Sequence, residues 1–151
     1  MNARNIFSSI GQVIKLSVSN IENSIQFYTD VFGMTVDQRY TLHSPADKFC
    51  DNSYVQLNFQ WPGNNVAIGL YKDIEVPFPP ISFDFSKNPP PAGTVPTFIV
   101  TNIKNTYNYL LLKHVQVSEI ISNTSDSGFI DCFAFFTDVD NNLLCLRQDI
   151  N

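Results

Sequence analysis

Two stretches of the chain alternate apolar with other residues at the period of a β-strand and then pass directly into helical spacing. The first runs over residues 13–18 and the second over 95–100. After the first, Ile21, Ile25, Tyr28 and Phe32 mark one face of a helix over 21–32, and Gly33 follows as a C-cap. After the second, a helix over 103–113 is predicted, with His114 rather than glycine at its end, where a histidine serves as a cap. The junctions repeat each other. Val18-Ser19-Asn20-Ile21-Glu22-Asn23-Ser24 and Val100-Thr101-Asn102-Ile103-Lys104-Asn105-Thr106 differ, apart from Ser/Thr exchanges, only at Glu22 and Lys104. Asn20 and Asn102 stand at the strand-to-helix switch, where a side-chain oxygen can satisfy amide donors of the first turn.

Each predicted helix is followed by three strand-like runs. These are 34–40, 53–59 and 65–71 in the first half, and 115–122, 129–137 and 143–148 in the second. Polar turns at 62–65 and 138–142 join the last two runs of each half, with Asn and Gly available for positive φ. Between the halves, residues 73–94 hold six of the nine prolines and read as a stiff linker. The pattern predicts one α+β domain over 1–151. Within it, 12–73 and 95–151 are two βαβββ modules, and 74–94 is a Pro-rich linker.

Composition narrows the function classes. A net charge of −5, with nine basic residues scattered along the chain, argues against a nucleic-acid binder. No stretch has the length of a membrane span, and residues 1–11 lack the apolar core of a signal peptide, so no membrane partner is expected. Cys50, Cys132 and Cys145 are an odd number without a CxxC pair, which fits a reducing, cytoplasmic setting. Thirteen Phe and six Tyr point to a sheet-rich interior.

The run from Val13 to Gly33, with Asn20-Ile21-Glu22-Asn23-Ser24-Ile25-Gln26-Phe27-Tyr28, resembles the opening of modules in the glyoxalase/bleomycin resistance protein/dioxygenase (vicinal oxygen chelate) superfamily. Phe136-Thr137-Asp138-Val139-Asp140-Asn141-Asn142 resembles the family's closing Asp-Pro-Asp-Gly-Asn turn, with Val139 and Asn141 as departures. The resemblance covers nearly the whole chain. It implies a glyoxalase-like fold in which two paired modules form a cupped, open mixed barrel, and it implies a homodimer. It also implies a divalent metal held by His, Gln or Glu from the first and last strand of each module, an arrangement that leaves sites open for a substrate with adjacent oxygens. Those positions fall here at Val13, Gly69, Val95 and Cys145, and the chain has only His43 and His114. No metal and no cofactor are therefore expected.

If the ligand-equivalent positions face the cup, so do Lys15, Ser17, Ala67, Tyr71, Thr97, Ile99, Leu143 and Arg147. The opposite face then carries Ile14, Leu16, Val18, Ile68, Leu70, Phe98, Val100, Leu144 and Leu146, all apolar, as a face under a helix should be. From the first set, Lys15, Tyr71, Thr97, Cys145 and Arg147 are the candidate ligand contacts, with Trp61 beside its Pro-Gly turn. Lys15 and Arg147 suit a carboxylate or phosphate. The alternative is that they snorkel from the strands or pair with acids such as Asp84 or Asp131. Cys145 reads more readily as a small buried hydrophobe than as a nucleophile, and His43 as a loop histidine.

No catalytic set emerges, so the leading expectation is a metal-free small-molecule-binding protein similar to bleomycin-resistance-type members. A lyase, isomerase or dioxygenase of the same superfamily, acting on a small oxygenated substrate, is the alternative. A ligand-free interaction module is a third reading. The acidic balance suits a cationic guest, whereas Lys15 and Arg147 suit an anionic one, and the ligand stays open.

Overall fold

The computed structural model describes residues 12–42, 53–60, 66–72, 85 and 95–150. The predicted turn at 62–65, Trp61, His43, Asp84 and, apart from Phe85, the predicted linker lie outside them. The chain divides into two compact units, Met1–Phe78 and Pro79–Asn151.

The first unit holds β1 (Gln12–Ser17), α1 (Ile21–Phe32), β2 (Thr35–Leu42), β3 (Tyr54–Asn58) and β4 (Val66–Tyr71). The second holds β5 (Thr97–Ile99), α2 (Ile103–Leu112), β6 (Ile121–Thr124), β7 (Ile130–Thr137) and β8 (Leu143–Asp149). Their sheets have corresponding orders, β1-β4-β3-β2 and β5-β8-β7-β6. In each, the first strand pairs parallel with the last, and the remaining pairings are antiparallel. The α+β architecture is thus two copies of one βαβββ module.

The caps explain where the helices begin. Asn20 has extended backbone, and its side-chain oxygen accepts a hydrogen bond from the Asn23 amide at 2.9 Å. Asn102 does the same for Asn105 at 3.0 Å. Gly33 ends α1 in the left-handed conformation expected of a C-cap. Lys113 caps α2, and His114 takes the left-handed φ of 60°. That position usually suits glycine, but here the His114 amide donates to the Leu111 carbonyl. The Gln148 side chain accepts from the Ile103 amide at 2.8 Å, which ties the start of α2 to β8.

Strand alternation sends one face of each sheet under its helix. In the first module Leu16, Val55, Leu57, Ile68 and Leu70 are buried there, and α1 packs on β3 and β4. In the second, Ala134, Phe136, Leu144 and Leu146 play this part beneath α2. Full burial of a residue such as Leu144 is worth about 1.5–3 kcal/mol, so these faces contribute several such increments to each module.

Two details depart from the periodicity. The buried face of α1 comprises Ile21, Ser24, Tyr28 and Val31 rather than Ile21, Ile25, Tyr28 and Phe32. Ser24 can be buried because its hydroxyl donates to the Asn20 carbonyl at 2.9 Å. In the second module, the predicted strand 115–122 pairs as a strand only at Ile121–Thr124, with an isolated bridge from Val117 to Phe136. There Ser118 satisfies the Phe135 amide with its hydroxyl and donates its own amide to the Phe135 carbonyl.

Candidate functional site

The sheet faces opposite the helices carry the candidate chemistry, and the two modules furnish them differently. The register aligns them row by row. Lys15 pairs with Gly69 and Gly69 with Gln56 in the first module. Thr97 pairs with Cys145 and Cys145 with Phe135 in the second. One row further, Ser17–Tyr71–Tyr54 corresponds to Ile99–Arg147–Phe133. Thus Lys15 and Thr97 are structural counterparts, as are Tyr71 and Arg147.

In the first module this face is a polar row. The Tyr54 hydroxyl reaches Gln56 Oε1 at 3.3 Å, and Gln56 donates to Asn58 at 3.2 Å. Asn58 in turn donates to Asp37 at 2.6 Å. Asp37 also forms a two-point ion pair with Arg39, at 2.9 and 2.7 Å. The guanidinium hydrogen bonds hold its carboxyl well below the usual carboxylate range, against the opposing effect of burial. The Tyr54 ring lies directly over Gly69: a Cβ built there would stand 2.5 Å from the phenolic oxygen. Lys15 Nζ sits 5.9 Å from the centre of that ring, and Tyr71 is the cross-strand neighbour of Tyr54. Burial pushes the Tyr54 phenol up.

In the second module the corresponding face is an apolar-floored groove of about 340 Å³. It is lined by Val95, Thr97 and Ile99 from the β5 segment, by Asp131, Phe133 and Phe135 from β7, and by Cys145 and Arg147 from β8. Phe135, Leu143 and Cys145 form a buried cluster under it, joined by Phe85, Val95 and Phe133. The Phe133 and Phe135 rings meet edge to face at 5.6 Å. Arg147 Nε lies 2.7 Å from Asp149 and 3.5 Å from Asp131. Cys145 is buried, burial pushes its thiol up, and its Sγ donates to the Leu146 carbonyl at 3.2 Å.

Of the residues singled out in the sequence, the structure brings Thr97, Cys145 and Arg147 together in this groove. Lys15 and Tyr71 sit on the first module's sheet, and Trp61 is outside the described residues. Strand alternation counted from the ligand positions does not reach Asp131, Phe133 and Phe135, because β7 holds no such position, although Asp131 is one of the acids expected to pair with Arg147 and lies 3.5 Å from it. Gln56, Asn58 and Asp37 lie out of its reach for the same reason on β3 and β2.

The metal positions can be tested on the residues present. Val13, Gly69 and Val95 offer no donor side chain. Cys145 would have to bind as a thiolate, which its burial opposes. Among the described residues, no group of three or more His, Cys, Asp or Glu is placed to hold an ion. The residues do not fit the metal implied by the resemblance.

Two βαβββ modules, each with an open four-stranded sheet, define the glyoxalase-like fold. The model of the Glyoxalase/Bleomycin resistance protein/Dioxygenase superfamily matches residues 9–146, and the chain belongs to that superfamily. No curated protein matches the sequence. Among solved structures, a glyoxalase/bleomycin resistance protein/dioxygenase from Alicyclobacillus acidocaldarius aligns with a TM-score of 0.64 at 12% identity, covering 95% of this chain and 93% of that one. The glyoxalase family protein from Enterococcus faecalis gives 0.62 at 19% identity, with coverages of 94% and 98%. TnmS3, an antibiotic-binding protein from Streptomyces sp. CB03234, gives 0.59 at 17% identity, with coverages of 94% and 97%. At these identities the likeness concerns the fold.

Proposed function

We propose that the chain is a metal-free small-molecule-binding protein of the bleomycin-resistance type, with its guest in the second module's groove. The observation that carries this reading is the groove itself: an aromatic and aliphatic floor with a charged cluster at one end. Pockets for small molecules have this make-up, mostly apolar walls with a few polar groups that fix orientation. Thr97, Cys145 and Arg147 are its proposed contacts from the sequence, joined by Phe133, Phe135 and Asp131. Lys15 and Tyr71 are proposed contacts of the first module's own sheet face. The similarity to an antibiotic-binding protein is in keeping with this reading. Donor chemistry at Val13, Gly69, Val95 and Cys145 supports it over the metal-dependent lyase, isomerase or dioxygenase.

The test is a small-molecule screen by thermal shift, since a guest that binds only the native state raises the melting temperature. Hits should lose most of their shift in Phe133→Ala. Hits indifferent to that change, or no hits from a broad library, would defeat the reading. We further propose that the chain is cytoplasmic and forms a homodimer. Cys132 and Cys145 are free thiols, as a reducing compartment requires, and light scattering at micromolar concentration should return twice the chain mass.

A further inference from the structure

Arg147 alone suggests an anion site, but its surroundings point the other way. Asp131 and Asp149 stand directly opposite each other on β7 and β8. Like charges in that relation repel, and a cation between them offsets the repulsion. Arg147, two residues before Asp149 on the same strand face, supplies it: its Nε lies 2.7 Å from Asp149 and 3.5 Å from Asp131. One guanidinium between two carboxylates leaves one unit of negative charge at this end of the groove. Asp131 is the carboxylate that lines the cavity, and its side chain is only 19% exposed. An anionic guest would have to draw Arg147 from its partners while facing both of them.

The rest of the lining narrows the guest further. The Thr97 hydroxyl donates to the Val95 carbonyl, and the Cys145 thiol to the Leu146 carbonyl. Both groups thus already have hydrogen-bond partners within the module. What remains is Val95, Ile99, Phe133 and Phe135 around the charged end, with Ile99 70% exposed at the groove's side. Faces of aromatic rings attract cations as well as apolar surface.

We propose that the groove selects a flat, mainly apolar ring system bearing one positive charge, with Asp131 as the counter-ion and Arg147 as the residue that positions Asp131. The proposal rests on the groove being the binding site. Its volume of about 340 Å³ lies at the small end for ligand pockets, which suits a guest of about three fused rings.

Three probes with one ring skeleton isolate the charge: 9-aminoacridine, cationic at neutral pH; acridine, neutral at slightly alkaline pH; and acridine-9-carboxylate, an anion. Titrations followed by probe fluorescence at low salt should give one site per chain. The cation should bind about tenfold more tightly than the other two, the scale of one charge-assisted contact. Added salt should narrow the gap. Asp131→Asn should remove the preference for the cation, and Phe133→Ala should weaken all three. Equal affinities, or preference for the anion lost in Arg147→Met, would overturn the charge inference and leave the groove reading intact. The comparison among probes on the unaltered protein decides this even if a variant fails to fold. Binding by none of the probes, or binding unaffected by Phe133→Ala, would overturn the proposal together with the groove reading beneath it.

Discussion

Gly69 shows how one missing side chain shapes a surface. It occupies the last-strand position at which the resemblance implies a metal ligand, and the Tyr54 ring fills the space above it. A methyl group there would meet the phenolic oxygen at 2.5 Å and the ring carbons at 2.7 and 2.9 Å. The ring is the outer end of a side chain and can swing aside. Doing so gives up its contact with Lys15 and its hydrogen bond to Gln56. Gly69→Ala should therefore cost about 1–2 kcal/mol, the lower range for overfilling a packed site. The same change in a Tyr54→Ala background should cost much less, and urea titrations of the four proteins would measure the coupling. Equal costs in both backgrounds would show that backbone, not the ring, sets the penalty. The polar row that Tyr54 begins could not be read from the sequence. It depends on register between β2, β3 and β4, which lie far apart along the chain.

At the scale of the element, what was legible was what is decided locally. Both helix starts could be read because an Asn side chain and an amide three residues later settle them, whatever packs nearby. Truncating either cap to alanine should cost about 1 kcal/mol, and replacement by glycine only a few tenths. Because Asn20 and Asn102 hold corresponding places, Asn20→Ala and Asn102→Ala should be similar in size, as read by denaturant unfolding. A large excess at Asn102 would mean that the Gln148 contact with Ile103 also depends on this cap. What failed at this scale was decided elsewhere in the fold. The apolar period of α1 pointed to Ile25 and Phe32, but Ser24 and Val31 are buried, the former with its hydroxyl satisfied within the helix. The alternation over 115–122 looked like a strand throughout. Its first part meets β7 only around the Val117 bridge, where Ser118 exchanges hydrogen bonds with the Phe135 backbone through its amide and its hydroxyl.

Across the whole molecule, the two modules share one architecture and differ in their open sheet faces. Tyr54, Gln56 and Asn58 in the first module answer to Phe133, Phe135 and Thr137 in the second. One face is a hydrogen-bonded polar row and the other an apolar groove. The positions where the resemblance implies metal ligands are Val13, Gly69, Val95 and Cys145. A divalent ion needs several donors, and only the Cys145 thiol is present, kept protonated by burial and hydrogen-bonded to the Leu146 carbonyl. Dialysis against EDTA should therefore leave the melting temperature unchanged, and so should added Mn, Ni or Zn ions at ten times the protein concentration. An ion bound tightly to the native state would raise the melting point by mass action, so the absence of a shift is informative. A rise of several degrees with one of these ions, lost on Cys145→Ala, would place a metal in the groove and return the chain to the metal-dependent branch of its superfamily.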